Sequence, residues 1–114
     1  MSYDVFDFND PSAKAFVDAY RTKWSGIINA QTPAWYNAAK ILFKAMEEAG
    51  SLEVEEVRDA LKKIEGFDAG MYGPVSWGGK RDYGVPHQLL VKFWITEVKD
   101  GKPRTLAVIT PEKR

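Results

Sequence analysis

The sequence has no cysteine among its 114 residues, which excludes disulfides, thiolate nucleophiles and zinc sites built on cysteine. The redox compartment stays open, because a cysteine-free chain suits either side of a membrane. Histidine is nearly absent. The single His87 stands beside Pro86 at the start of an expected strand, with no second histidine to share a metal, and reads as an edge or loop residue. Net charge is missing as well: 16 basic and 16 acidic side chains cancel, so no overall field draws phosphate backbones or anionic lipid. Nucleic acid is not an expected partner. No apolar run reaches the roughly 20 residues that span a bilayer, and the amino terminus has neither a basic n-region nor an apolar h-region. The sequence reads as soluble, with no membrane span and no export signal.

What is present is enough apolar material, 45% of residues, for one core. The first eight residues, with Tyr3, Val5, Phe6 and Phe8, suit a short strand or an extended lead-in. Asp10-Pro11 then signals a helix start, and Ala13, Phe16, Val17, Tyr20 and Trp24 recur at spacings of three and four, predicting a helix over 11–25 that ends at Ser25-Gly26. Thr32-Pro33 predicts a second start. Ala34, Ala38, Ile41, Leu42, Ala45 and Ala49 mark its inner face, Trp35, Ala39 and Met46 widen it, and Gly50 closes it. Ser51 to Glu56 open a third helix with acidic residues in its first turn, Val54, Val57, Leu61 and Ile64 facing inward, and Gly66 as its stop. Six glycines, Pro74 and four aromatics between Gly66 and Gly84 predict a loop region. Alternation from Gln88 to Lys99 predicts a strand, and Asp100-Gly101 a hairpin turn into a last strand at 104–110.

No catalytic constellation emerges. The pairs Glu47/Glu48 and Glu55/Glu56 are adjacent in sequence and diverge around a helix, so they cannot act together as acid and base. Ser12, Ser25, Ser51 and Ser76 lack a strand-turn-helix elbow, and His87 is the only base. Gly73-Pro74-Val75-Ser76-Trp77-Gly78-Gly79-Lys80 lacks the Walker spacing and precedes no expected helix, which argues against a phosphate cradle. The chain is not expected to be an enzyme, and no cofactor or metal is implied.

Four stretches, in order, resemble the closing segment of type I periplasmic binding proteins that serve branched-chain amino acid ABC transporters. They are Asn9-Asp10-Pro11 with Phe16-Val17-Asp18-Ala19-Tyr20-Arg21; Thr32 to Ala39 running on to Glu48-Ala49-Gly50-Ser51-Leu52; Val57-Arg58-Asp59-Ala60-Leu61 with Phe67 and Gly70; and Gly73-Pro74-Val75-Ser76-Trp77 with Lys80 and Asp82. The sequence departs from that pattern at Gly78-Gly79 and Arg81-Asp82, where the family more often has an acid and then Gly-Asp.

The resemblance implies an α/β fold, α+β for the piece alone: three helices plus a C-terminal β-hairpin. Residues 1–66 would end the first lobe, 67–87 would be the glycine-rich crossover loop, and 88–114 would give the terminal strands to the second lobe. It also implies a parent that captures an amino acid or similar solute in the periplasm or outside the cell and passes it to an ABC permease. Gln31, Thr32, Trp35 and Tyr72 would approach the cleft between lobes. Their alternative roles are a helix cap for Thr32 and packing for Trp35 and Tyr72. Most ligand-holding residues would lie upstream, so the piece alone is expected to have little affinity for a free amino acid. Helices made to cover an absent sheet must bury their faces elsewhere, which predicts a homodimer or a swapped oligomer with exchanged helices or hairpins.

Overall fold

Asp10 starts the first helix by accepting a hydrogen bond from the Ser12 N–H at 2.9 Å, and Pro11 occupies the first turn, where a missing N–H costs nothing. Helix α1 runs Pro11–Lys23, two residues shorter than the spacing predicts, with Trp24 as its C-cap. The computed structural model describes residues 2–4, 7, 10–26 and 28–113. Strand β1 is Ser2–Asp4, in agreement with an extended start; Val5, Phe6 and Phe8 lie outside the described residues. Removal of the Asp10 cap (Asp10→Ala) is expected to cost α1 about 1 kcal/mol, read as lost helical circular dichroism. The same hydroxyl and amide of Ser12 hold the Asp10 carboxyl below its ordinary value. The ionised cap thus stabilises above pH 3.8, and that contribution is lost as pH falls through the lowered value.

Helix α2 spans Gln31–Ala49 and begins one residue before the predicted pair. Thr32 is not its cap. The Asn29 side chain instead accepts from the Gln31 N–H at 3.1 Å, the Thr32 N–H at 3.2 Å and the Thr32 hydroxyl at 3.2 Å. Gly50 closes α2 in the left-handed conformation, as expected, with its N–H bonded to the Met46 carbonyl at 3.0 Å. The buried stripe is Pro33, Asn37, Ile41 and Ala45; Ile41 and Ala45 lie inside as expected and Ala34, Met46 and Ala49 pack beside them, while Ala38 and Leu42 point outward and Trp35 is 77% exposed. Helix α3, Val54–Leu61, buries Val57, but Val54, expected inside, sits at the helix mouth in solvent.

The stretch expected to be a loop carries structure. Strands β2 (Phe67–Asp68) and β3 (Pro74–Gly78) pair antiparallel, and α4 (Lys80–Tyr83), a single turn, follows Gly79. A helix therefore does follow the glycines, contrary to the sequence reading, though one turn offers no extended row of N–H groups. The expected strand from Gln88 to Lys99 is two. β4 (Gln88–Leu90) pairs with β3, the chain breaks step at Val91-Lys92, and β5 (Phe93–Lys99) joins β1 and β6 (Lys102–Ile109) in a second sheet. The turn between β5 and β6 has positive φ at both Asp100 and Gly101, the requirement of a tight hairpin. Opposite Ile95 and Thr96 the register jumps from Ala107 to Thr105, so Leu106 is the extra residue of a bulge.

The main core joins α2, α3, β3 and the loop after β4 through Ile41, Ala45, Val57, Ile64, Ala69, Tyr72, Val75 and Val91. Trp77 adds a hydrogen bond from its indole N–H to the Leu61 carbonyl at 2.8 Å, which satisfies an end of α3. Full burial of a large apolar side chain contributes roughly 1.5–3 kcal/mol. Strands β5 and β6 have no buried residue, so the buried core is drawn from residues 31–91 with Ala13 and Val17 of α1. The mixed architecture of helices and antiparallel strands agrees with the expected fold class. Its radius of gyration, 15.7 Å, exceeds the about 13 Å of a compact domain of this length, and its extents are 48 × 36 × 19 Å.

Candidate functional site

Among the described residues, helix α1 meets the rest where Ala13 and Phe16 pack on Met71 and where the Phe16 ring faces Tyr36. Met71 and Tyr72 are the centre of a tight turn closed by the Gly73 N–H on the Gly70 carbonyl at 2.8 Å. Both side chains turn inward, one towards α1 and the other into the main core. A groove of about 470 Å³ lies between α1 and α2, within the usual range for small-molecule pockets.

The groove is aromatic. Phe16 and Tyr36 lie 5.1 Å apart between ring centroids, Phe16 and Tyr20 6.2 Å, and Tyr20 and Trp24 5.2 Å, in tilted arrangements suited to ring packing. Ala15, Ala19 and Gly70 keep the floor open. Lys23 stands 5.8 Å from the Trp24 ring and Lys40 6.0 Å from the Tyr36 ring. Below Lys40 lies Asn37, 0% exposed, whose amide oxygen and nitrogen have no hydrogen-bond partner.

Two further grooves are smaller in chemical content. One, about 400 Å³, runs between Arg58, Leu61, Lys62, Trp77, Pro86 and His87, so the single histidine is an exposed loop residue against an indole. Another lies among Asp82, Tyr83, Gln88, Leu90 and Phe93. Among the described residues no cluster of His, Asp or Glu has the makings of a metal site, and no helix is long and apolar enough to cross a membrane.

Gln31, Thr32, Trp35 and Tyr72 line none of these three grooves. Gln31 and Trp35 are exposed, one turn apart on α2, with Thr32 half-buried between them, while Tyr72 belongs to the main core. Burial pushes the Tyr72 hydroxyl above its ordinary value of 10.0. Since the folded chain then holds a proton that the unfolded chain releases, stability is full below pH 10.0 and falls as pH rises beyond it. Tyr72→Phe is expected to flatten that alkaline loss in urea titrations. The other shifted groups lie at the surface, Lys44 half-buried: it is raised by Glu47 and Glu48, and the exposed Arg58 and Asp59 stabilise each other. The aromatic groove was not foreseen, although the stripe Phe16, Tyr20, Trp24 is visible in the sequence.

No curated protein matches the chain. The crystal structure of the leucine-binding protein LivK from Thermotoga maritima superposes with a TM-score of 0.70 at 26% sequence identity. The match covers 96% of this chain but only 30% of that protein, so the chain spans less than a third of its relative's length. A family model described as periplasmic binding protein matches residues 2–103. With nearly the whole sequence accounted for by that match, the chain belongs to the periplasmic binding protein family.

Proposed function

We propose that this chain is the closing segment of a solute-binding protein for amino acids or similar small solutes. Its parent closes two lobes around the solute in the periplasm and delivers it to an ABC permease, without catalysis. The observation that carries this reading is the match to 30% of a leucine-binding protein over 96% of this chain. In the parent, residues 1–66 complete one lobe, 67–87 cross over and 88–114 supply the other. The absence of buried side chains in β5 and β6 supports a second lobe from Phe93 on, since strands that belong to it find their core there; β4 and Val91 stay with the first core, and β1 pairs with β5.

Of the four residues proposed for the cleft, Gln31, Thr32 and Trp35 share the first turn and a half of α2, and Tyr72 fits packing better because it is 8% exposed in the core. The segment alone lacks most of the cleft, so it does not hold the parent's solute. Calorimetric titration with a panel of amino acids is expected to be silent; saturable heat would show that the site is complete. To test the transport reading itself, this chain replaces the matched segment of the Thermotoga protein. A folded chimera that binds an amino acid supports the reading, and a folded chimera with no such affinity counts against it.

Self-association is a second reading, favoured by the exposed Trp35, Leu42 and Phe43 on α2 and Leu106, Val108 and Ile109 on the edge strand β6. We expect a dimer by light scattering at micromolar concentration. A stable monomer there removes this reading and leaves the first intact.

A further inference from the structure

We propose that the groove between α1 and α2 is a binding site for a small aromatic carboxylate, with its ring among Phe16, Tyr20, Trp24 and Tyr36 and its carboxylate on Lys40 beside the Asn37 amide. The site uses none of the residues assigned to the solute cleft, so it stands or falls separately from the proposed transport role.

Three observations converge on this ligand class. The first is shape and surface: a groove of about 470 Å³ walled by four aromatic rings, of which Trp24 and Tyr36 remain 56% and 50% exposed, offers flat apolar faces to another ring. The second is charge. The lining includes Lys23 and Lys40 but no acidic side chain, and neither lysine has an ion-pair partner among the described residues. Lys14, Lys44, Lys62 and Lys113 do have partners. The groove is therefore electrostatically complementary to an anion, and neutral or cationic ligands gain nothing from it.

The third is the buried amide. A Cβ built on Gly70 would come within 3.0 Å of the Lys40 ammonium and 3.9 Å of the Asn37 amide oxygen, so both polar groups lie on the same side of a glycine that lines the groove. Neither polar atom of Asn37 has a partner, and a half-turn of the amide exchanges its oxygen for its N–H donors. Asn37 is sealed and does not itself line the groove, so a carboxylate drawn to Lys40 reaches those donors only as the lysine moves aside and opens the amide. The Asp68 carboxylate nearby is engaged by the Gly70 N–H at 2.8 Å and makes no ion pair with Lys40.

The test uses indole-3-acetate and its neutral counterpart indole-3-acetamide, titrated into the whole chain and followed by amide and indole NMR shifts. We expect the acid to bind saturably and at least about tenfold more tightly than the amide, the scale of one charge-assisted hydrogen bond. Shifts should centre on Trp24, Tyr36 and Gly70, and added salt should weaken the acid alone. Lys40→Met should bring the acid down to the level of the amide, with circular dichroism to verify the fold. Equal binding of acid and amide, or shifts that map to the other grooves, would overturn the proposal without recourse to any variant. So would groove signals that move with protein concentration while the acid has no effect, since a second copy would then be the occupant.

Discussion

Gly79→Ala is expected to lower the stability of the chain by about 3 kcal/mol, more than alanine at the other glycines, because strain and crowding coincide there. Two costs coincide at this residue. Its φ is +89°, a left-handed conformation that costs an L-residue about 1–3 kcal/mol. A Cβ there would also lie 2.8 Å from the Gln88 Cβ and 2.9 Å from the Tyr83 ring, so β4 or α4 would have to shift, at about 1–3 kcal/mol for a strained insertion. Gly84→Ala gives the control: φ is +77° but the space is open, so only the first cost applies. Urea midpoints of the two variants separate backbone strain from crowding. Similar midpoints would mean that the Tyr83 ring gives way freely.

Gly79 and its neighbour Gly78 explain part of what could be read in the sequence. Gly78-Gly79 replaces the acidic residue of the resembled pattern, and in the structure each glycine has a neighbour where a side chain would stand: Leu90 for Gly78, Gln88 and Tyr83 for Gly79. Glycine content announced tight geometry but not its direction. Local signals were legible because their causes are local. Asp10-Pro11, Gly50 and Asp100-Gly101 each act through one turn of backbone, and all three mark the ends where they were expected.

Where partners decide, the sequence was silent. Leu89, Val91, Phe93 and Ile95 alternate without interruption, yet the chain changes sheets between Leu90 and Phe93, because β3 pairs with one half and β1 with the other. Strands β2 and β3 were hidden among glycines for the same reason: a two-residue strand exists only through its partner. The aromatic groove is also a matter of long-range assembly. Phe16, Tyr20 and Trp24 look like an ordinary core stripe, and only the placement of α1 against α2 sets them beside Tyr36 at a groove. The family resemblance, by contrast, was legible from short motifs in order, and the matched span of residues 2–103 bears it out.

Asn37→Leu is expected to raise the stability of the isolated chain by about 2 kcal/mol while weakening indole-3-acetate binding several-fold. Asn37 holds the place of an apolar residue on the buried stripe of α2, between Pro33 and Ile41, where the sequence reading placed alanines and leucine. Burial of an amide with neither atom paired costs about 1–3 kcal/mol, and an apolar side chain of similar size removes that cost. Leucine also favours the helix more than asparagine by a few tenths of a kcal/mol. Its slightly greater bulk beside Gly70 offsets some of the gain, which is why the expected figure lies in the middle of the range. The paired measurement matters more than either alone. A gain in urea midpoint with unchanged binding would make Asn37 a packing defect that the chain merely tolerates. A gain accompanied by loss of the acid, with the neutral amide unaffected, would identify an orphaned polar group whose destabilisation is the cost of recognising a carboxylate.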